Sequence, residues 1–219
     1  MTLKANDFIE LDYTGKVKGE DFVFDTTDEK VAKAHDIHNP NQVYSPAIIC
    51  IGKGHILRGL DQHLIGKKVG DSFTVNLTPE EAFGKKRADM IQLIPTSKFK
   101  KDGITPHLGL QVQIDGIMGT VKTVTGGRTL VDFNHPLSSK ELTYDLRILK
   151  KVDDLQEKVA AFLKVELGGV VPVTVAEGVA TVALEGPIPV EAAGKLITMV
   201  KDAIPELKEL LFTEAPSNK

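Results

Sequence analysis

Cysteine occurs once in the 219 residues, at Cys50, and tryptophan does not occur at all. A single thiol cannot close an intramolecular disulfide, so the fold must hold without one, as suits a reducing compartment. Cys50 sits inside the apolar run Ala47-Ile48-Ile49-Cys50-Ile51 and reads as a small buried hydrophobe, not a nucleophile. With 9 Phe and 3 Tyr and no Trp, any aromatic-lined site has to be built from Phe and Tyr. A basic excess is missing as well: a net charge of -3 does not favour nucleic acid, and no such partner is expected. No apolar run reaches the ~18 residues of a membrane span. The segment Met1 to Asp7 has no apolar stretch of the kind that opens a signal peptide. The expectation is a cytoplasmic protein without a membrane partner.

The usual chemical signatures are lacking too. There is no phosphate-binding GxxxxGK[ST] loop, and Gly52-Lys53-Gly54 has Leu57 where a dinucleotide loop needs its third glycine. No G-x-S-x-G elbow occurs. His35 and His38 are followed at once by Asn39-Pro40, which argues for a loop, and no cysteine pair accompanies them. The tail from Phe212 carries neither His nor Cys. No metal and no cofactor are therefore expected. Glu80-Glu81 reads as the acidic first turn of a helix.

What is present is ordinary globular material. Hydrophobic residues at 42% suffice for cores, and the length suggests two or three units. Phe8, Ile9, Leu11 and Tyr13 open a strand that should stop at Gly15, with a second short strand from Val17 and a third at Phe22-Val23-Phe24. Residues 28–46 are polar and irregular, with a helical turn around Ala32. Ile48 to Ile51 is a strand. Ile56, Leu57, Leu60 and Leu64 have helical spacing, and Gly66 is placed to cap that helix. Phe73, Val75 and Leu77 alternate as a strand, and Thr78-Pro79-Glu80-Glu81 starts a helix. After Lys85-Lys86-Arg87 come short β segments, with Asp115-Gly116 and Gly126-Gly127 as hairpin turns. Tyr144, Leu146 and Ile148 mark a returning strand. From Asp153 the pattern is a helix, a hairpin turning at Glu177-Gly178, and a helical stripe from Ala193 to Leu211 that Pro205 should kink or split. The tail 214–219 is expected to fray.

A dispersed set remains that periodicity alone would assign to a core: Tyr13, Phe24, Asp25, Ile56, Leu57, Leu60, Phe83 and Tyr144. Their order carries more. Phe24-Asp25-Thr26-Thr27, then Gly52-Lys53-Gly54-His55-Ile56-Leu57-Arg58-Gly59-Leu60, then Val69-Gly70-Asp71 and Ala82-Phe83-Gly84, resemble the FKBP-type peptidyl-prolyl cis/trans isomerases. The resemblance runs from about Asp7 to Gly84 and resumes at Leu142-Thr143-Tyr144-Asp145-Leu146. Between them lies an insertion in the flap. That placement, and Asn134-His135-Pro136-Leu137, look like the SlyD-like branch and its archaeal long-chain relatives.

The resemblance implies an α+β fold, with a curved antiparallel sheet and one helix enclosing an apolar groove for a proline ring. Residues 1–86 and 136–152 would form this domain, 87–135 a small all-β insert-in-flap domain, and 153–219 a C-terminal α+β domain. Ile56 and Leu57 would start the helix and offer a backbone N–H to a substrate carbonyl. Leu60 would floor the groove, Tyr13, Phe24 and Tyr144 would wall it, and Asp25 would act electrostatically at its rim. Phe83 stands where the family usually has Tyr, and Leu60 where it often has Trp. The implied activity is isomerisation of X-Pro bonds in unfolded or nascent polypeptides, without cofactor, joined to holdase function. Ile91, Leu93, Ile94, Phe99, Ile104, Leu108, Leu110, Ile117 and Met118 of the insert are the candidate client-binding residues. The alternatives are a catalytically silent holdase and a dimerisation module, and the C-terminal unit is open between client binding, partner binding and a homodimer contact.

Overall fold

A computed structural model describes residues 2–214; of the tail expected to fray, 215–219 lie outside the described residues. In chain order the elements are β1 (Phe8–Val17), β2 (Val23–Thr26), α1 (Glu29–Ala34), β3 (Ala47–Cys50), α2 (Arg58–Leu64) and β4 (Ser72–Leu77). Two single 3-10 turns follow, Pro79–Glu81 and Ala88–Met90. Then come β5 (Ile91–Pro95), α3 (Thr96–Lys101), β6 (Gln111–Ile114), β7 (Ile117–Thr125), β8 (Arg128–Asp132) and β9 (Leu142–Val152). The chain ends with α4 (Leu155–Leu167), β10 (Val173–Ala176), β11 (Val179–Leu184), α5 (Val190–Ala203) and β12 (Glu209–Glu214). Two compact units result, Met1–Leu77 with Leu142–Lys219, and Thr78–Glu141. The boundaries expected at 86/87 and 135/136 thus fall inside the second unit.

The first unit is organised by β1. It pairs antiparallel with β9 along its whole length, and on its other edge with β3 at Phe8–Leu11 and β2 at Thr14–Lys16. β4 extends the sheet on the far side of β9. β1 does not stop at Gly15, as its sequence suggested, but runs through it to Val17. The pairing of Gly15 with both Asp25 and Tyr144 keeps its backbone in the ladder, so the missing side chain does not end the strand. Along β9, Leu142, Tyr144, Leu146 and Ile148 are buried and alternate with exposed Asp145 and Arg147, the period of a strand with one covered face. The covering helix α2 begins at Arg58, two residues later than its apolar spacing implied, with Leu57 as N-cap. Leu60 and Leu64 are its buried residues on the apolar side.

Residues 153–219 do not stand apart as a domain of their own. Phe8, Cys50 and Val152 join Val159, Phe162, Leu163, Val182 and Val200 in one core. The apolar surface on this side of β1, β3 and β9 would otherwise face water, and the C-terminal segment covers it. Asp154 caps α4 by accepting the Glu157 N–H at 2.8 Å, and Gly168 ends it in the left-handed region. β10 and β11 form the hairpin read at Glu177-Gly178. The stripe from Ala193 breaks where Pro205 required: α5 ends at Ala203, and Ile204 leaves helical geometry. The residues beyond it do not resume a helix, because β12 pairs parallel with β11 from Val179↔Glu209 onward. Leu211 is therefore a strand residue.

The second unit is a four-stranded antiparallel sheet, ordered β5-β8-β7-β6. Both hairpin turns fall where the sequence placed them, at Asp115-Gly116 and Gly126-Gly127, all four residues at positive φ. The insert is not all-β: α3 lies between β5 and β6 because Phe99 needs cover, and the helix turns it into the sheet's core at 4% exposure. That core holds Ile94, Phe99, Val112, Val121, Val131 and Phe133. The two chain segments that enter and leave the unit are clasped by Asn134. Its Oδ1 accepts the Arg87 N–H at 2.8 Å, and its Nδ2 donates to the Arg87 carbonyl at 3.0 Å and to Asp132 at 2.8 Å. Burial raises the Asp132 pKa, but the Lys86 ammonium at 2.9 Å and the Asn134 donors more than offset this and hold it at about 2.

Candidate active site

Gly15 is the base on which the site is assembled. A Cβ there would lie 2.8 Å from Phe24 Cζ and 2.8 Å from Tyr144 Cε1, so only glycine lets both rings lie against the β1 backbone. Tyr144 meets Phe24 edge-on, with centroids 5.7 Å apart, and Tyr13 at 6.1 Å and 56°. These geometries are the tilted and T-shaped arrangements that aromatic quadrupoles favour. The three rings arrive from β1, β2 and β9, held in register by the pairing of Gly15 with Asp25 and Tyr144.

Asp25 hydrogen-bonds the Tyr13 hydroxyl through its side chain. Burial raises the Asp25 pKa above the ordinary carboxylate value, while the Tyr13 hydroxyl and the Thr26 N–H pull it back in part. Burial and the nearby Asp25 charge both raise the phenol pKa of Tyr13 and Tyr144, which stay neutral. The cluster is thus an apolar aromatic wall with one carboxylate in its midst.

Ile56 and Leu57 lie half-buried just ahead of α2, and among the described residues their backbone N–H groups meet no acceptor. Asp61 sets this stretch. Its carboxylate, 7% exposed, accepts the Gly52 N–H at 3.0 Å and the Gly54 N–H at 3.3 Å, tying α2 to the loop that leads into Ile56. Burial raises its pKa, against those two hydrogen bonds. Tyr13 and Ile56 line one common cavity. Leu60 is buried at 2% on α2. Phe83 belongs to the second unit, where it stacks on His135 with centroids 4.1 Å apart and planes 4° from parallel. Gly15 and Asp61 were missed by sequence reasoning. A glycine at an inward position of an apolar alternation signals close approach of another group, a signal that local pattern does not distinguish from a strand end.

Of the insert residues expected to bind clients, Ile94 and Phe99 are buried in the core of the second unit, and Leu110 packs half-buried against it. Ile91, Leu93, Ile104, Leu108, Ile117 and Met118 are exposed, Leu108 to 74% and Met118 to 54%. Among the described residues no three His, Cys, Asp or Glu side chains converge as metal ligands, and no helix is long and apolar enough to cross a membrane.

An antiparallel sheet crossed by one helix, carrying an aromatic cluster with a single acid and interrupted by an insert, defines a class. The chain belongs to the FKBP-type peptidyl-prolyl cis-trans isomerases, enzymes that rotate X-Pro peptide bonds. The profile of that family matches residues 1–100, and that of the FKBP26 IF domain matches residues 92–137. A short-type peptidyl-prolyl cis-trans isomerase of Methanocaldococcus jannaschii is 33% identical over 146 residues, 67% of this chain and 92% of the relative. An FKBP-type 16 kDa isomerase of Escherichia coli is 36% identical over 110 residues, 48% of this chain and 73% of the relative. The SlyD isomerase of Vibrio cholerae is 31% identical over 103 residues, 45% of this chain and 50% of the relative.

Proposed function

We propose that isomerisation takes place in an apolar groove walled by Tyr13, Phe24 and Tyr144, floored by Leu60 and closed by Ile56 and Leu57. The observation that carries this is the convergence of three rings and Asp25 over Gly15. The barrier to peptide-bond rotation is ~18–20 kcal/mol, because resonance keeps the amide planar and polar. The twisted transition state has lost that resonance and its charge separation. An apolar surround therefore disfavours the planar state relative to the twisted one, and the difference lowers the barrier. The free N–H of Ile56 or Leu57 holds the substrate carbonyl, and Asp25, as acceptor, orients the Tyr13 hydroxyl. No covalent step occurs. A tetrapeptide assay tests the site: Asp25→Ala and Tyr144→Ala should each lower kcat/KM at least about tenfold in a folded chain, as expected for groups acting in the transition state. Unchanged rates in both would refute the assignment.

The same enzyme is proposed to hold unfolded, X-Pro-containing polypeptide on its insert, in the cytoplasm. On β5, Ile91, Gln92 and Leu93 are exposed and Ile94 is buried; Ile91 and Leu93 share one face, where Leu93 pairs with Leu130, and among the described residues β5 is an edge strand of its sheet. Apolar surface next to free backbone donors and acceptors suits extended chain. Suppression of light scattering by an aggregating client should be lost in Leu93→Glu. Phe83, which lacks the hydroxyl usual at its position, favours a second reading, a holdase without turnover. The same tetrapeptide assay decides between them.

A further inference from the structure

A cavity of about 440 Å³ lies between the Tyr13–Ile56 side of the sheet domain and helix α4. Pro46, Ile48 and Ile49 form one wall, and Ala160 and Val165 of α4 the other. Its size falls in the range of ligand-binding cavities. The second wall exists only because residues 153–214 pack against β1, β3 and β9 through a shared core.

We propose that this cavity is a subsite for the polypeptide flanking the X-Pro bond, contributed by the C-terminal segment. The occupant is the substrate's own extended chain, carrying an apolar side chain into the cavity. Continuity supports this. Tyr13 and Ile56 belong both to the proposed prolyl groove and to this cavity, so one or two extended residues at ~3.3–3.6 Å each carry the chain from one to the other. At the rim, Glu157 is engaged by Lys150 at 3.4 Å, whereas Lys164 has no ion pair among the described residues. The uncompensated rim charge is positive, and an acidic residue outside the apolar one fits it. Val165 and Val170 remain 42% and 82% exposed at this rim, apolar surface left uncovered in the free enzyme. α4 thus makes the enzyme selective for the neighbourhood of the proline, a discrimination that a tetrapeptide does not reveal.

This inference rests on the groove assignment above, and the test separates the two. Octapeptides with a central Ala-Pro are compared with the tetrapeptide, with leucine or glycine placed in turn at each of the two positions on either side. At one position leucine should raise kcat/KM about tenfold over glycine, the lower end of what burying one such side chain yields. Glutamate beyond it should outperform lysine. Val165→Asp should bring the leucine-to-glycine ratio close to one, Val165→Leu should preserve it, and Lys164→Glu should reverse the charge preference. If the tetrapeptide turns over but leucine and glycine are equal at every position, or the ratio ignores Val165→Asp, the subsite is refuted and the groove stands. A change in oligomeric state on Val165→Asp with the ratio intact would show that a second copy covers this face, and also refutes it. No turnover of the tetrapeptide overturns the groove and the subsite together.

Discussion

Leu77, the last residue of β4, and Leu142, the first of β9, are direct cross-strand partners, and both are buried. The 64-residue second unit, Thr78–Glu141, therefore leaves and re-enters the sheet at adjacent positions. Cross-strand partners lie ~4.5–5.5 Å apart, a gap that a two-residue Asn-Gly turn closes. Excising 78–141 with such a turn should leave a cooperatively folding protein, checked by urea denaturation. Its tetrapeptide kcat/KM should stay within about tenfold, while catalysis of proline-limited protein refolding falls about 100-fold or more, the scale of a lost tether. An equal fall in both activities would show that the insert only supports the site.

Gly15→Ala should damage catalysis more than stability. The new methyl meets Phe24 and Tyr144 at 2.8 Å, inside any real contact, so the rings must move. Overpacking of this kind costs about 1–3 kcal/mol. The expected result is a folded variant whose kcat/KM for a tetrapeptide drops at least about tenfold, the cost of misplacing positioned groups. A variant with the parent's activity would mean that these rings do not define the site.

His55 gives the first unit a pH dependence. Its Nδ1 accepts the Cys50 N–H at 3.1 Å, its ring packs edge-on to Phe162 at 4.9 Å, and its buried Nε2 meets no hydrogen-bond partner among the described residues. Burial lowers its pKa from 6.5 to about 4. Between these values the unfolded chain takes up a proton that the folded one refuses, so this contribution to stability is complete above pH 6.5 and lost as pH falls toward 4. Urea denaturation across that window should show a decline that is shallower in His55→Gln. Parallel curves for the two proteins would remove His55 from the account.

Truncation after Val152 should not yield an independent isomerase. Phe8, Cys50 and Val152, each at most 1% exposed in the full chain, would lose the cover of Phe162, Val182 and Val200. The expected outcome is low soluble yield with strong binding of a hydrophobic dye. A soluble, cooperatively folding fragment would show that the C-terminal segment is an appendage.

Local pattern determined much of this protein. Alternation along β9, the hairpins at Asp115-Gly116, Gly126-Gly127 and Glu177-Gly178, and the break at Pro205 were all legible, because each rests on side-chain period or on the backbone chemistry of one or two residues. The order of Phe24-Asp25, Ile56-Leu57 and Tyr144 pointed to the site proposed here, and of these residues the structure brings Phe24, Asp25 and Tyr144 together with Tyr13. Long-range contacts were not legible. Gly15 resembled a strand end until Phe24 and Tyr144, from two other strands, occupied the space above it. Leu211 fitted a helical stripe, yet once Pro205 had ended α5 the ladder with β11 made it a strand residue. Phe8 and Cys50 each lie in an apolar strand, and only packing against Phe162 showed that 153–214 completes their core. A side chain's period tells which face is apolar; what covers that face is settled by residues far away in sequence, through burial that no local window contains.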